Sequence, residues 1–221
     1  IIIHSYAKVI KGKAADGQMI SEESEGQNKT EEFEIYKDRI IDYFDSVYVR
    51  EVQEYVRLYN KPIWVTEWNL QMSKTTGNTL LQSFFVAQYI LEILANPSFS
   101  SIELTTYHNL GGRDISGSIF RNNNGKTEIH STYYNMIMIG KIFTNHIVQV
   151  KKEQDNEVFL YVCYDKYNKE ILRYLLDWQS YEFTCIDSIS EPHSSTTYKS
   201  SHLFDTADDL GILDLKINKI D

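Results

Sequence analysis

The sequence predicts an α/β protein in two parts: a parallel sheet with covering helices over residues 1–143, then an all-β module over residues 144–221. Three observations carry this. Up to residue 143, short β-branched or aromatic runs alternate with longer runs of helical apolar spacing, and that order implies a parallel sheet with crossover helices. From residue 144 the pattern changes to alternating or continuous apolar runs separated by polar turns. The chain has 221 residues, of which 42% are hydrophobic, 13% aromatic and 24% charged. That composition can bury a substantial core.

The elements follow in order. Ile1-Ile2-Ile3 opens the chain without a Met and reads as a buried strand, so a fragment or processed product is the expectation. Residues 7–30 are polar, carry Gly12, Gly17 and Gly26, and read as a long loop. Within it, Glu22-Glu23-Ser24-Glu25 is a solvated face, and Asn28-Lys29-Thr30 matters as a sequon only in a eukaryotic secreted setting. Apolar positions from Phe33 to Tyr59 recur at helical spacing and predict one or two amphipathic helices. Asn60-Lys61-Pro62 ends them, because Pro disfavours helix in the residue before it. Ile63-Trp64-Val65-Thr66 is the second strand, with Trp64 in the core.

Thr79 caps the next helix, which runs from Leu80 through Leu94, is apolar on more than one face, and stops before Asn96-Pro97. Ser101 to Tyr107 is the third strand and Tyr133 to Phe143 the following helix. The later strands are Ile147 to Val150, Val158 to Tyr164, Ile171 to Trp178, Tyr181 to Ile189 and Leu213 to Ile217. The Ser- and Thr-rich residues 194–201 read as a surface loop.

Several function classes are disfavoured. With 22 basic against 31 acidic residues the net charge is -9, which opposes attraction to nucleic acid or to anionic membranes. Cys163 and Cys185 supply neither a disulfide framework nor a thiolate cluster, and leave the redox compartment open. No stretch approaches the roughly 20 apolar residues of a membrane span. The expectation is a soluble chain, with a secreted or periplasmic setting favoured. His130, His146, His193 and His202 lack metal-ligand spacing and read as surface or core-edge residues. Leu110-Gly111-Gly112-Arg113 is too short to cradle phosphate and reads as a flexible loop lining a cleft. No metal and no cofactor are expected.

In a parallel sheet, ligands bind beyond the carboxyl ends of the strands, so the last polar residues of each strand are the candidates. They are His4-Ser5-Tyr6, Thr66-Glu67-Trp68-Asn69 and Thr105-Thr106-Tyr107-His108-Asn109. Glu67 is the sharpest of them. A carboxylate following a buried apolar run is costly unless it is hydrogen-bonded or used. Its plain alternative is a strand-end Glu paired with a nearby Lys or Arg.

Lys61-Pro62-Ile63-Trp64-Val65-Thr66-Glu67-Trp68-Asn69 resembles the nucleophile strand of clan A glycoside hydrolases, retaining enzymes on a (β/α)8 TIM barrel with paired glutamates at the ends of strands four and seven. The Thr-Glu-Trp-Asn run is most similar to arabinofuranosidase- and xylosidase-type families. His4-Ser5-Tyr6 resembles the sixth-strand His-x-Tyr of that clan, and residues 84–110 are similar to its seventh helix and eighth strand.

The resemblance covers residues 1–143 and implies barrel strands six to eight, followed by a C-terminal β-sandwich over 144–221. It implies Glu67 as nucleophile, Tyr6 as the residue that orients it, and His4, Trp68, Asn69, Tyr107 and His108 lining the sugar subsite, where Trp68 and Tyr107 could stack on a ring. The substrate would be an oligosaccharide or polysaccharide. Strands one to five are absent, and with them the acid/base Glu. The missing barrel half would be a partner, in the same polypeptide or in a separate chain. Asn156-Glu157 lies at a turn in the β module and reads as turn chemistry. Two other readings stay open: a non-catalytic carbohydrate-binding protein on a degenerate barrel, and an unrelated α/β protein.

Overall fold

The computed structural model describes residues 1–14, 20–22, 24–71, 73–112, 117–189, 193–209 and 218–220. Strand β1 (Ile2–Ala7) is followed by the short hairpin β2 (Gly12–Ala14) and β3 (Ile20–Glu22). Helix α1 (Lys29–Asp42) runs through a π-helical turn at Tyr43–Val47 into α2 (Tyr48–Tyr59). Strand β4 (Ile63–Leu70), α3 (Leu80–Ala95) and β5 (Ile102–Tyr107) come next. Three short strands, β6 (Gly111–Gly112), β7 (Phe120–Asn123) and β8 (Lys126–Ile129), precede α4 (Thr132–Thr144). The chain continues through β9 (Gln149–Asp155), β10 (Val158–Tyr164), β11 (Glu170–Asp177), β12 (Glu182–Asp187), β13 (His193–Lys199) and β14 (Asn218–Ile220).

The termini of these elements have local causes. Asn28 accepts from the Glu31 N–H and starts α1. Asn60 takes a left-handed conformation (φ 47°) at the end of α2, and its N–H returns to the Val56 carbonyl, so Pro62 follows outside the helix. Thr79 caps α3 through Gln82, and Asn96 closes it before Pro97.

β1, β4 and β5 form a parallel three-stranded sheet in the order β1-β4-β5, so β4 is central. Ile3, Ser5 and Ala7 alternate inward along β1, while Ile2, His4 and Tyr6 point to the other face. On that other face, Ile2 pairs with Trp64 and Trp64 with Leu104, making a row of apolar side chains 65%, 46% and 41% exposed. Trp64 therefore lies on the open face rather than in the core, where its indole N–H donates to Glu103 at 3.4 Å.

Helix α3 is the wall behind this sheet, with residues from Leu80 to Glu92 buried over most of its circumference. Phe85 and Tyr89, four residues apart, pack on Phe44 of the π turn and on Trp68 of β4. Phe84, Gln88 and Glu92, on the adjacent face, meet the second sheet and its edge: Phe84 packs on Trp178, Gln88 accepts from the Trp178 indole at 2.9 Å, and Glu92 accepts from the Tyr161 hydroxyl at 2.7 Å. Lys152 pairs with the same buried Glu92 at 2.7 Å. One helix thus serves two sheets, and the hydrophobic core is continuous between them.

The second sheet has six strands in the order β14-β13-β12-β11-β10-β9, all pairs antiparallel. Where a sandwich is expected, the described residues form this one sheet, and helices α3 and α4 supply its second layer: the Tyr174 hydroxyl donates to the Met138 carbonyl, and Tyr134 stacks on Tyr198. The expected surface loop at 194–201 is largely strand β13. Thr and Tyr suit a pleated surface, Thr197 bonds Thr184 across the ladder at 2.9 Å, and Tyr198 is fully buried. Two further expectations also change. The polar loop at 7–30 contains the β2–β3 hairpin, and Gly111–Gly112 pairs with β7 as a strand. The expected strand at 213–217, and Arg113, lie outside the described residues. Asn156, with φ 53°, makes the β9–β10 turn, and Glu157 pairs with Lys37 of α1 at 2.9 Å. Among the described residues no helix is long and apolar enough to cross a membrane.

Two measurements test this architecture. The Arg39 guanidinium holds Glu25 in a two-pronged contact at 2.6 and 2.7 Å and, with Lys11, lowers its pKa to about 2. A carboxyl depressed by folding stabilises the fold above its unfolded value and loses that contribution as pH falls towards 2. Glu25→Gln is expected to lower stability near neutral pH and to flatten the acid limb of a thermal-melting profile; an unchanged acid limb would show that the pair contributes nothing. The exposed Ile2–Trp64–Leu104 row is expected to bind an apolar fluorescent dye and to promote self-association. The Trp64→Lys, Leu104→Lys double variant should abolish both in dye-titration and sedimentation experiments.

Candidate functional site at the end of the central strand

The site is set by a phase change in β4. Strict alternation would put Glu67 on the same buried face as Val65. Instead, Ile3 pairs with Val65 and His4 with Glu67, so Thr66 is the extra residue of a bulge relative to β1. The other neighbour reports the same insertion, since Val65 pairs with Thr105 and Trp68 with Tyr107, with two residues of β4 facing one of β5. A bulge re-aims the side chains that follow it. Here it leaves Thr66 and Glu67 half-buried and turns Trp68 inward beside Val65. The Thr66 carbonyl takes the Thr106 hydroxyl at 2.5 Å.

On the face this creates, the Tyr6 hydroxyl donates to Glu67 Oε2 at 2.8 Å, and His4 Nδ1 stands 3.5 Å from the same oxygen. Both contacts fall on Oε2, while the Glu67 side chain as a whole is 38% exposed. His108 Nδ1 lies 3.0 Å from the Tyr6 hydroxyl, with the two rings edge-on. A carboxylate, a phenol and two imidazoles are therefore clustered at the carboxyl end of the sheet. A cavity of about 490 Å³ runs along β1 and takes in His4 and Tyr6, with Lys8, Arg39, Asp42 and Glu51 supplying charge around it.

Three of the expected sugar-lining residues have other places. Trp68 is 2% exposed and stacks face to face on Tyr89 at 3.9 Å, so its ring is core. Asn69, also 2% exposed, is a hub beneath the site. Its Nδ2 donates to the Tyr107 hydroxyl, to the His108 carbonyl at 2.5 Å and to the Gly117 carbonyl at 3.0 Å. Its Oδ1 accepts from Leu70 N and from Gln82 Nε2. Tyr107 gives its hydroxyl to the Gly117 carbonyl at 2.5 Å and packs edge-on against Trp68. For Trp68 the reason is the bulge, which turns it inward, while Asn69 and Tyr107 are held by their bonds to the Gly117 carbonyl. His4 and His108 do stand beside Tyr6 and Glu67.

The sequence reading missed the supports of this cluster. Gly117 approaches so closely that a Cβ there would lie 2.8 Å from Asn69 Nδ2. Gln82 sits in the first turn of α3, and Ser5 on the inner face of β1 bonds the buried Tyr43 hydroxyl at 2.6 Å. Burial holds the Tyr43 pKa well above the ordinary phenol value, so its proton stays available for that bond. A Gln in an otherwise apolar first turn was the one signal that could have marked such a support.

No protein family matches this chain, and no curated protein matches it in sequence. In structure it is similar to the GH51 arabinofuranosidase from Xanthomonas axonopodis pv. citri, at a TM-score of 0.48 and 8% identity. The match covers 84% of this chain, which spans 37% of the length of that protein.

Asn69→Ala strands several buried polar groups at once, and is expected to lower unfolding free energy by about 2–4 kcal/mol in denaturant titration. Thr106→Val removes only the bond to the bulge carbonyl and should cost about 1 kcal/mol. Equal effects from the two would contradict the assignment of Asn69 as the hub.

Proposed function

We propose that this chain carries the nucleophile half of a retaining glycoside hydrolase of the arabinofuranosidase or xylosidase type, acting on an oligosaccharide or polysaccharide. The observation that carries the proposal is the 2.8 Å bond from the Tyr6 hydroxyl to Glu67, at the carboxyl end of the middle one of three parallel strands. Residues 1–143 are then strands six to eight of a barrel with their helices, and residues 144–221 an accessory β module. The exposed Ile2–Trp64–Leu104 row supports this, since a barrel interior is filled by layers of side chains from its strands. The remaining strands and the acid/base carboxylate come from outside these 221 residues, from the same polypeptide or another chain.

In this reaction Glu67 attacks the anomeric carbon while the second carboxyl, about 5–5.5 Å away, protonates the leaving oxygen; water then releases the sugar from the ester. Tyr6 orients the attacking carboxylate by donating to Oε2. His4, beside the same oxygen and 53% exposed, faces the sugar.

The test uses the completed barrel. A 2-fluoro glycoside with an activated leaving group should add its sugar mass to the peptide bearing Glu67. Glu67→Gln should lower kcat by several orders of magnitude with an unchanged melting curve. Tyr6→Phe should cost less, about 10- to 100-fold for one hydrogen bond to a charged group. Labelling elsewhere, or near-normal turnover by Glu67→Gln, would reject the proposal.

A further inference from the structure

The proton on the Tyr6 hydroxyl decides what His108 does. A phenol has a single proton and a carboxylate has none to give, so at 2.8 Å from Glu67 Oε2 the Tyr6 proton is committed to that oxygen. The contact of 3.0 Å between the Tyr6 oxygen and His108 Nδ1 can then be a hydrogen bond only if the imidazole donates. The reverse arrangement, with Tyr6 donating to a bare Nδ1, would set the phenol oxygen against the carboxylate as two acceptors. His4 does not replace Tyr6, because its Nδ1 stands at 3.5 Å from the same carboxylate oxygen.

The place of His108 is itself built. Its backbone N–H donates to the Trp68 carbonyl at 3.1 Å, and its carbonyl accepts from the buried Asn69 amide at 2.5 Å. The ring meets Tyr6 edge-on, with centroids 6.1 Å apart and planes at 80°. Both backbone partners are consecutive residues of β4, just past Glu67. The strand that presents the carboxylate also fixes the imidazole.

We propose that His108 is a positioning residue acting through Tyr6: its Nδ1–H donates to the phenol oxygen and thereby commits the phenol proton to Glu67, leaving Nε2 as the acceptor in the neutral ring. Hydrogen bonds in series polarise one another, so the Tyr6–Glu67 bond is stronger with His108 in place than without it. For the glycosidase reaction, on which this role rests, His108 holds the nucleophile's partner in one orientation without touching the sugar.

The experiment needs no turnover. In the 221-residue chain with ¹⁵N-labelled histidine, long-range ¹H–¹⁵N spectra at a pH where the ring is neutral should show His108 protonated at Nδ1, the signal being assigned by its loss in His108→Asn. Tyr6→Phe removes the acceptor and should return His108 to the Nε2–H form that imidazoles favour in water. A neutral Nε2–H form in the wild-type chain, or an Nδ1–H form that survives Tyr6→Phe, would overturn the assignment. In the completed enzyme, His108→Asn keeps a donor near the Nδ1 position and should retain kcat within about 10-fold. His108→Leu should lower kcat with KM unchanged, and equal losses in the two variants would also overturn it. Nδ1 protonation in a protein without glycosidase activity would fail the functional reading while leaving the hydrogen-bond assignment standing.

Discussion

The site depends on one inserted residue. Strand β4 has to bury Ile63 and Val65 against the helices and then, three residues on, Trp68 against Tyr89. A period of two cannot place both Val65 and Trp68 on the same face, since their spacing is odd. The Thr66 bulge resolves the conflict, and both neighbouring strands register it. Glu67 is carried to the open face as a consequence, opposite His4 and within reach of Tyr6. Removing a carboxylate from a buried position in this way avoids a desolvation cost of several kcal/mol. The packing of the core and the exposure of the carboxyl have a single cause.

Helix α3 transmits that constraint through the molecule. Its Tyr89 side receives Trp68, and its Gln88–Glu92 side receives Trp178, Tyr161 and Lys152 of the antiparallel sheet. A helix apolar around most of its surface is what two sheets require. Buried Lys37, between Glu34 and Glu157, adds a second tie between α1 and the β9–β10 turn, and both carboxylates raise its pKa against the opposing effect of burial. Ion pairs of this kind are costly to break from one side, so they hold the two sheets in one arrangement rather than adding much net stability. The antiparallel sheet is thereby part of the scaffold behind the site.

Much of this was legible in the sequence. The three parallel strands and their order follow from the succession of strands and helices and the handedness of parallel crossovers, whereas the approach of Tyr6 to Glu67 is what the resemblance of His4-Ser5-Tyr6 implies and alternation alone does not give. The places of Trp64 and Trp68 depend on the phase of β4, which composition does not give, and Asn69 and Tyr107 are held by bonds to the Gly117 carbonyl outside their own strands. Trp64 is apolar yet exposed because it faces the open side, and Trp68 is buried because the bulge intervenes. Strand β13 was hidden by its serines and threonines, which mark loops in isolation but pair well when a neighbour such as Thr184 lies opposite. The Gly117 and Gln82 contacts to Asn69 join residues 48 and 13 positions away, and no local pattern encodes them.

The two tryptophans that flank the phase change in β4 report on it directly. The chain labelled with 5-fluorotryptophan gives one ¹⁹F signal for each of Trp64, Trp68 and Trp178, assigned by replacing Trp64 and Trp178 with Phe in turn. With a soluble paramagnetic relaxation agent, the Trp64 signal should broaden and the Trp68 signal should not. Broadening of Trp68 comparable to that of Trp64 would mean that the strand keeps a period of two through Glu67, and that the carboxylate is turned into the core.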